Sequence, residues 1–288
     1  MTKLGVITDG ISRDFERALT VMTEAGLEYA ELQFLWDKEV GDLNDQEMAK
    51  AQALVKQFQV KVSCISRHNF VGMIVGQTEV GDSKYQQHMD GLRRCIVMAK
   101  EFDCPLVRIM SFRRDMILFG KGGAEHWVVA KGAWDKLKQL LTPPVELAEQ
   151  EGITLVLETG NNAMVPSAYL GRKLVDEMGS DRLKILWDPG NSLYANELPF
   201  PDGYDALKGG RLGHFHIKDA IVDMPKATVE FCEMGTGQMA PTFEPIAKGL
   251  KADGYDGVIS LESVYRPEGG SFEDGFKASV GLFKKVFA

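Results

Sequence analysis

Apolar residues recur along this chain in two alternating rhythms. Short apolar runs of strand length lie at 4–7, 29–34, 61–66, 105–110, 153–158, 183–188, 211–217 and 257–262. Between them the period lengthens to that of a helix. Residues 12–25 place Phe15, Leu19 and Met22 on one face, and helices are likewise expected over 44–58, 84–102, 124–150, 167–178, 203–208, 242–253 and 272–286. The helix over 124–150 is expected to break near Pro143-Pro144, where two backbone donors are missing. Strands alternating with helices favour a parallel sheet. Eight such units in 288 residues favour closure into a single (β/α)8 TIM barrel, one domain over 1–288, rather than an open doubly wound sheet. Two connections are long. One, over 66–83, is rich in Gly and Val; the other, over 111–123, holds Arg113, Arg114 and Lys121. Either is a candidate lid over the barrel mouth, with a plain loop the simpler reading of the first.

Where the apolar runs stop is informative. The stretch RLGHFHIKD, 211–219, alternates so that Leu212, His214 and His216 share one strand face and Gly213, Phe215 and Ile217 the other. The runs ITLVLE, LKILWD and DGVISLE each stop at a carboxylate: Glu158, Asp188 and Glu262. One strand-terminal acid is ordinarily a solvated end or a helix cap. Four polar ends in series, at the face where barrels of this class carry their active sites, read instead as an E/D/H/E set. Oxygen and imidazole donors without thiolate suit a divalent metal ion such as Mn, Mg or Co, with Zn also compatible. His214 lies deeper than His216 and reads as packed behind it. His68, at the end of the third strand, Arg108 on the fourth and Lys218 beside His216 are candidate substrate contacts, with structural hydrogen bonds or ion pairs as the alternative. Trp36, just past the second strand, is open between a sugar-stacking ring and plain packing.

Charge and composition narrow the partners. Thirty-three basic against 41 acidic side chains leave a formal charge of −8, which argues against affinity built on neutralising nucleic-acid phosphates. No apolar run approaches membrane-spanning length. The N-terminal MTKLGVITDG goes almost directly into a strand with no basic-then-apolar leader, and four cysteines without CxxC pairing suit a reducing, cytoplasmic compartment. GTGQMA at 235–240 fits GxGxxA, but it follows no strand and lies late in the chain, so a dinucleotide site is not expected.

With these residues in view, the second half of the chain resembles the xylose isomerase-like TIM-barrel superfamily of sugar isomerases and epimerases. The matching pieces are LVLETGN at 155–161, LWDPGN at 186–191, LGHFHIKD at 212–219 and the long run GTGQMAPTFEPIAKGLKADGYDGVISLE at 235–262. GLEYAEL at 26–32 is a fainter echo. The resemblance implies one divalent cation held by Glu158, Asp188, His216 and Glu262, with the two glutamates also acting as acid and base on opposite faces of a carbohydrate substrate. It adds Asn191 to the substrate contacts His68, Arg108 and Lys218. It also implies a homo-oligomer, dimers and tetramers being common in the family. Departures bear on the reaction: ketose 3-epimerases of the tagatose epimerase type carry an acid, a His and an Arg where this chain has Met164, Asn191 and Val222. The HIKD form of the strand-seven motif also occurs in inosose dehydratases, so isomerisation or epimerisation through an enediolate is the first expectation and a lyase, dehydratase or decarboxylase, the second. Endonuclease IV shares the barrel but uses more histidines than the five present here.

Overall fold

The computed structural model describes residues 2–114 and 123–288. The protein is a single (β/α)8 TIM barrel. Its eight parallel strands are β1 (Lys3–Ile7), β2 (Tyr29–Leu32), β3 (Lys61–Ile65), β4 (Leu106–Met110), β5 (Thr154–Glu158), β6 (Leu183–Trp187), β7 (Leu212–Ile217) and β8 (Val258–Leu261). Each pairs with its neighbours in sequence, and β8 pairs with β1 to close the ring. The principal helices outside it are α1 (Phe15–Glu24), α2 (Asp45–Phe58), α3 (Ser83–Glu101), α4 (Gly123–Glu151), α5 (Ala168–Met178), α6 (Ala240–Ala252) and α7 (Phe272–Phe287). Helix starts are written locally: Asp14, Asn44, Ser167 and Ser271 each accept a backbone N–H of the first turn. The apolar face of α1, Phe15, Leu19 and Met22, is fully buried against the barrel wall. Among the described residues no helix is long and apolar enough to cross a membrane.

Four details depart from the simple rhythm. The run 29–34 divides, because β2 ends at Leu32 and Phe34–Leu35 turns back on Lys38–Glu39 as a small hairpin. The expected break at Pro143-Pro144 does not occur; both prolines lie within α4. Pro144 has no N–H for the carbonyl of Leu140, and the Tyr85 hydroxyl donates to that carbonyl instead at 2.8 Å. Strict alternation also fails at Gly213. Leu212 is in register with Ile185 and His214 with Leu186, so a bulge turns Leu212 out to the helical layer while His214 and His216 face the interior. A Cβ on Gly213 would lie 2.7 Å from the Lys184 Cβ, which is why the bulge carries glycine. Finally, an exposed hairpin, Ala220–Asp223 with Thr228–Phe231, follows β7.

The long connection after β3 is an irregular loop with a single 3-10 turn at Val75–Gln77. Its Phe70, Met73 and Val75 are buried, with Phe70 stacked on Phe112 at 5.0 Å. Val75 N–H donates to the Arg113 carbonyl and Arg113 N–H to the Met73 carbonyl, so this loop and the start of the next connection form one wall of the mouth. Lys121 lies outside the described residues.

GTGQMA, expected to follow no strand, lies between the hairpin strand Thr228–Phe231 and the start of α6. It wraps the buried carboxylate of Asp219, which accepts the N–H groups of Ala220, Gly235, Gly237 and Met239 at 2.9–3.0 Å. Gly237 is required by this contact, since a Cβ there would sit 2.3 Å from Asp219 Oδ1. Asp219→Ala leaves four backbone donors without their acceptor, and we expect it to lower unfolding stability by about 2–4 kcal/mol in urea titrations, Asp219→Asn recovering part of the loss.

Candidate metal centre and active site

Glu158 ends β5, Asp188 follows β6, His216 lies near the end of β7 and Glu262 follows β8, so four neighbouring strands deliver one side chain each to the same mouth. One donor atom from each lies within 4.8 Å of the others. His216 Nδ1 is 3.9 Å from Glu158 Oε1 and 3.9 Å from Glu262 Oε2, and it is buried without a hydrogen-bond partner. Asp188 caps the short turn Pro189–Ser192 by accepting the Gly190 N–H through Oδ1. Its other oxygen is buried and lies 2.5 Å from Lys218 Nζ, a close ion pair without the alignment of a hydrogen bond.

Two cations already stand among these acids. Arg108, 2% exposed, donates to Glu158 at 2.9 Å and to Gln33 at 3.0 Å. Lys218 lies between Asp188 and Glu262, 2.8 Å from the latter. Burial favours their neutral forms, but Glu158 raises Arg108 and Asp188 with Glu262 raises Lys218, so both remain charged. Burial pushes the Asp188 carboxyl up, whereas Lys218 and His216 outweigh burial at Glu262 and hold it low. Burial would also favour a neutral His216 ring, yet Glu31, Glu158 and Glu262 lift it to about 9. Counted with the His216 ring charged, the acids Glu31, Glu158, Asp188 and Glu262 exceed Arg108, Lys218 and His216 by one, and His216 Nδ1 lies among them without a hydrogen-bond partner. That donor set fits a divalent cation.

The other expected residues fall in different places. Asn191 is buried in the turn after Asp188, its amide donating to the Thr159 carbonyl at 2.7 Å. His68 sits at the rim, its Nδ1 2.8 Å from Glu39 Oε1. A cleft of about 520 Å³ opens beside Glu262, lined in part by Asp9, Arg13, Gln33 and Arg266. His68 does not line it. Trp36 packs edge-on against Phe15 and under Lys50, so its contacts are those of packing. His214 lies behind His216, as its depth in the strand implies. The patterns in the sequence missed Glu31, whose carboxylate accepts from both His214 and His216. The available signal was that YAEL is also an apolar run carrying an acid, one residue before its end.

Residues 19–286 match the model of the xylose isomerase-like TIM barrel family, and the chain belongs to that family. Among curated proteins it is similar to the inosose dehydratase of Clostridium perfringens, 26% identical over 155 residues, which cover 49% of this chain and 50% of that protein. The chain thus matches the curated relatives over about half their length. Among solved structures it resembles the 3-keto-D-glucoside 4-epimerase of E. coli, with a TM-score of 0.68 at 17% identity, covering 99% of this chain and 100% of that one. It also resembles the IOLI protein solved with a binding zinc atom, with a TM-score of 0.74 at 15% identity over 99% and 98% of the two chains. At these identities the structural likenesses establish the fold.

The rim pair yields a pH dependence. Burial alone would raise the Glu39 carboxyl, but the His68 ring, the His68 N–H and Arg67 hold it at about 2. A depressed carboxyl stabilises the folded state fully above its unfolded value near 4.5, and that contribution disappears as pH falls toward 2. Glu39→Gln is expected to cost about 1–2 kcal/mol at pH 7, discounted for partial exposure, with the gap from the parent protein narrowing below pH 4.5 in urea titrations.

Proposed function

We propose that the protein is a divalent-metal-dependent isomerase or epimerase of a keto sugar or sugar derivative, working through an enediolate. Glu158, Asp188, His216 and Glu262 are its cation ligands, and Glu158 and Glu262 its proton-transfer pair. One observation carries the reading: two glutamates from β5 and β8 stand at equal 3.9 Å distances from the free nitrogen of one buried histidine, each held by its own cation. When bound there, a divalent cation supplies Lewis acidity to a ketone oxygen, which acidifies the adjacent C–H bond. The protein's own residues do the rest. One carboxylate takes the carbon-bound proton and the other returns one, from the opposite face for epimerisation. Lys218 holds Glu262 ionised, as a base must be, and Arg108 fixes the direction of Glu158. Arg108, Lys218, Asn191 and His68 are the proposed contacts to substrate hydroxyl or carbonyl groups, the first two in exchange for part of their ion pairing. A carbohydrate substrate is supported by the sugar-processing relatives.

A metal-dependent lyase is the second reading. It is favoured by the likeness to inosose dehydratase and by Lys218, an ammonium between Asp188 and Glu262 placed to hydrogen-bond a departing hydroxyl. After the first proton is removed the two reactions diverge, one returning a proton to carbon and the other expelling a β-substituent.

Two measurements separate these possibilities. Purified protein is expected to bind one divalent ion per chain by elemental analysis, with Asp188→Ala and His216→Ala each losing most of it; stoichiometric metal in both variants would refute the ligand set. Metal-loaded protein incubated with ketoses, inososes and keto sugar acids in D2O should give a product of unchanged formula carrying solvent deuterium. Glu158→Gln and Glu262→Gln should slow that exchange by about 10²–10⁴-fold with metal retained. Loss of water or CO2 without an isomeric product would replace the isomerase with the lyase.

A further inference from the structure

We propose that Glu31 is a positioning residue of the metal centre: by accepting the Nε2–H of His216 inside the barrel, it fixes that ring with Nδ1 turned toward Glu158 and Glu262. The inference rests on the reading of His216 as a cation ligand. Glu31 is fully buried, as are both histidines. Its Oε1 lies 2.9 Å from His216 Nε2 and also accepts from the Ser66 hydroxyl, while its Oε2 lies 2.7 Å from His214 Nε2. An imidazole has one nitrogen for each partner. With Nε2 committed to Glu31, Nδ1 is the only donor atom left to His216, and it is the buried nitrogen without a hydrogen-bond partner.

The alternative occupant of Glu31, His214 and His216 is a second metal ion, since their donor atoms also cluster. The distances oppose it. At 2.7 and 2.9 Å both Nε2 atoms are already committed to the carboxylate, and an ion there would have to displace both hydrogen bonds. Backbone register shows how the residue arrives there. The pairing of β2 with β3 slips between Ala30 and Glu31, so Glu31 aligns with Cys64, a residue of the small interior cluster. The bulge at Gly213 turns His214 and His216 to meet it.

A carboxylate is also the group this position needs. It accepts on both oxygens, and both imidazoles donate to it. Glutamine presents either an NH2 or a neutral carbonyl to His216, so the charge-assisted bond that holds its Nε2–H is lost in either orientation. Outer groups that orient a metal-ligating histidine in this way typically govern affinity by 10–100-fold.

Three variants, Glu31→Gln, His214→Ala and Asp188→Ala, test the proposal in two measurements. Proton NMR of the metal-free protein should show a slowly exchanging, downfield His216 Nε2–H that is lost in Glu31→Gln and kept in His214→Ala. Titration with Co2+, followed by its visible absorption, should show affinity reduced about 10–100-fold in Glu31→Gln and less than about 3-fold in His214→Ala, although both variants lose thermal stability. Should either fail to fold, Glu31→Asp, which keeps the buried charge but withdraws it from His216, and His214→Gln take their places. Equal loss of Co2+ affinity on the Glu31 and His214 substitutions would reduce Glu31 to a general structural role and overturn the proposal. Absence of the Nε2–H resonance in the parent protein would do so whatever the metal result. If that resonance is present but the parent and Asp188→Ala bind Co2+ equally, the ligand reading has failed, and the positioning role falls with it.

Discussion

Enclosed negative charge is the constraint around which this barrel is arranged. Glu31, Glu158, Asp188 and Glu262 stand inside or at the mouth of a ring whose lower interior is apolar, with Cys64, Val156 and Leu186 packed together beneath them. Such charges are tolerated only when each finds a cation or a set of donors. Arg108 serves Glu158, Lys218 serves Asp188 and Glu262, and two imidazoles with a serine serve Glu31. The compensation is incomplete, and the place where it is incomplete is the mouth, where Glu158, Asp188 and Glu262 cluster about one histidine. A site so built can hold a metal ion, which connects a packing problem inside a barrel to the donor set at its mouth.

The backbone contributes at a few places where regular structure gives way. A register slip before Glu31 and a bulge at Gly213 determine which side chains of β2 and β7 face inward. Asp188 has a double task, capping a short turn with one oxygen and meeting Lys218 with the other. Next to Lys218, Asp219 turns its carboxylate away from the site and gathers four backbone N–H groups, so the strand end carrying His216 and Lys218 is anchored to the loop before α6. Consecutive residues thus separate two duties: Lys218 faces the acids of the mouth, and Asp219 holds the scaffold.

Most of the fold was written in periodicity. Strand runs and helical stripes are local consequences of which residues alternate, so the eight-unit order and most element boundaries follow from sequence, although the helix expected over 203–208 shortens to Tyr204–Ala206. The E/D/H/E set was legible for the same reason: each member terminates an apolar run, and barrel geometry brings the ends of parallel strands to one face. The helix break at Pro143-Pro144 was not correctly legible. Whether a proline interrupts a helix depends on whether another group satisfies the freed carbonyl, and Tyr85, far away in sequence, does so.

The amino-acid sequence by itself determined the barrel and the strand ends that carry polar groups. Only the tertiary structure decided that Arg108 and Lys218 are already engaged with Glu158, Asp188 and Glu262, that His68 belongs to Glu39 at the rim, and that Glu31 lies behind both strand-seven histidines. The physical reason is range. Periodicity acts between residues two to four apart, whereas hydrogen bonds such as Glu31 to His216 join residues 185 positions apart and depend on register slips of a single residue.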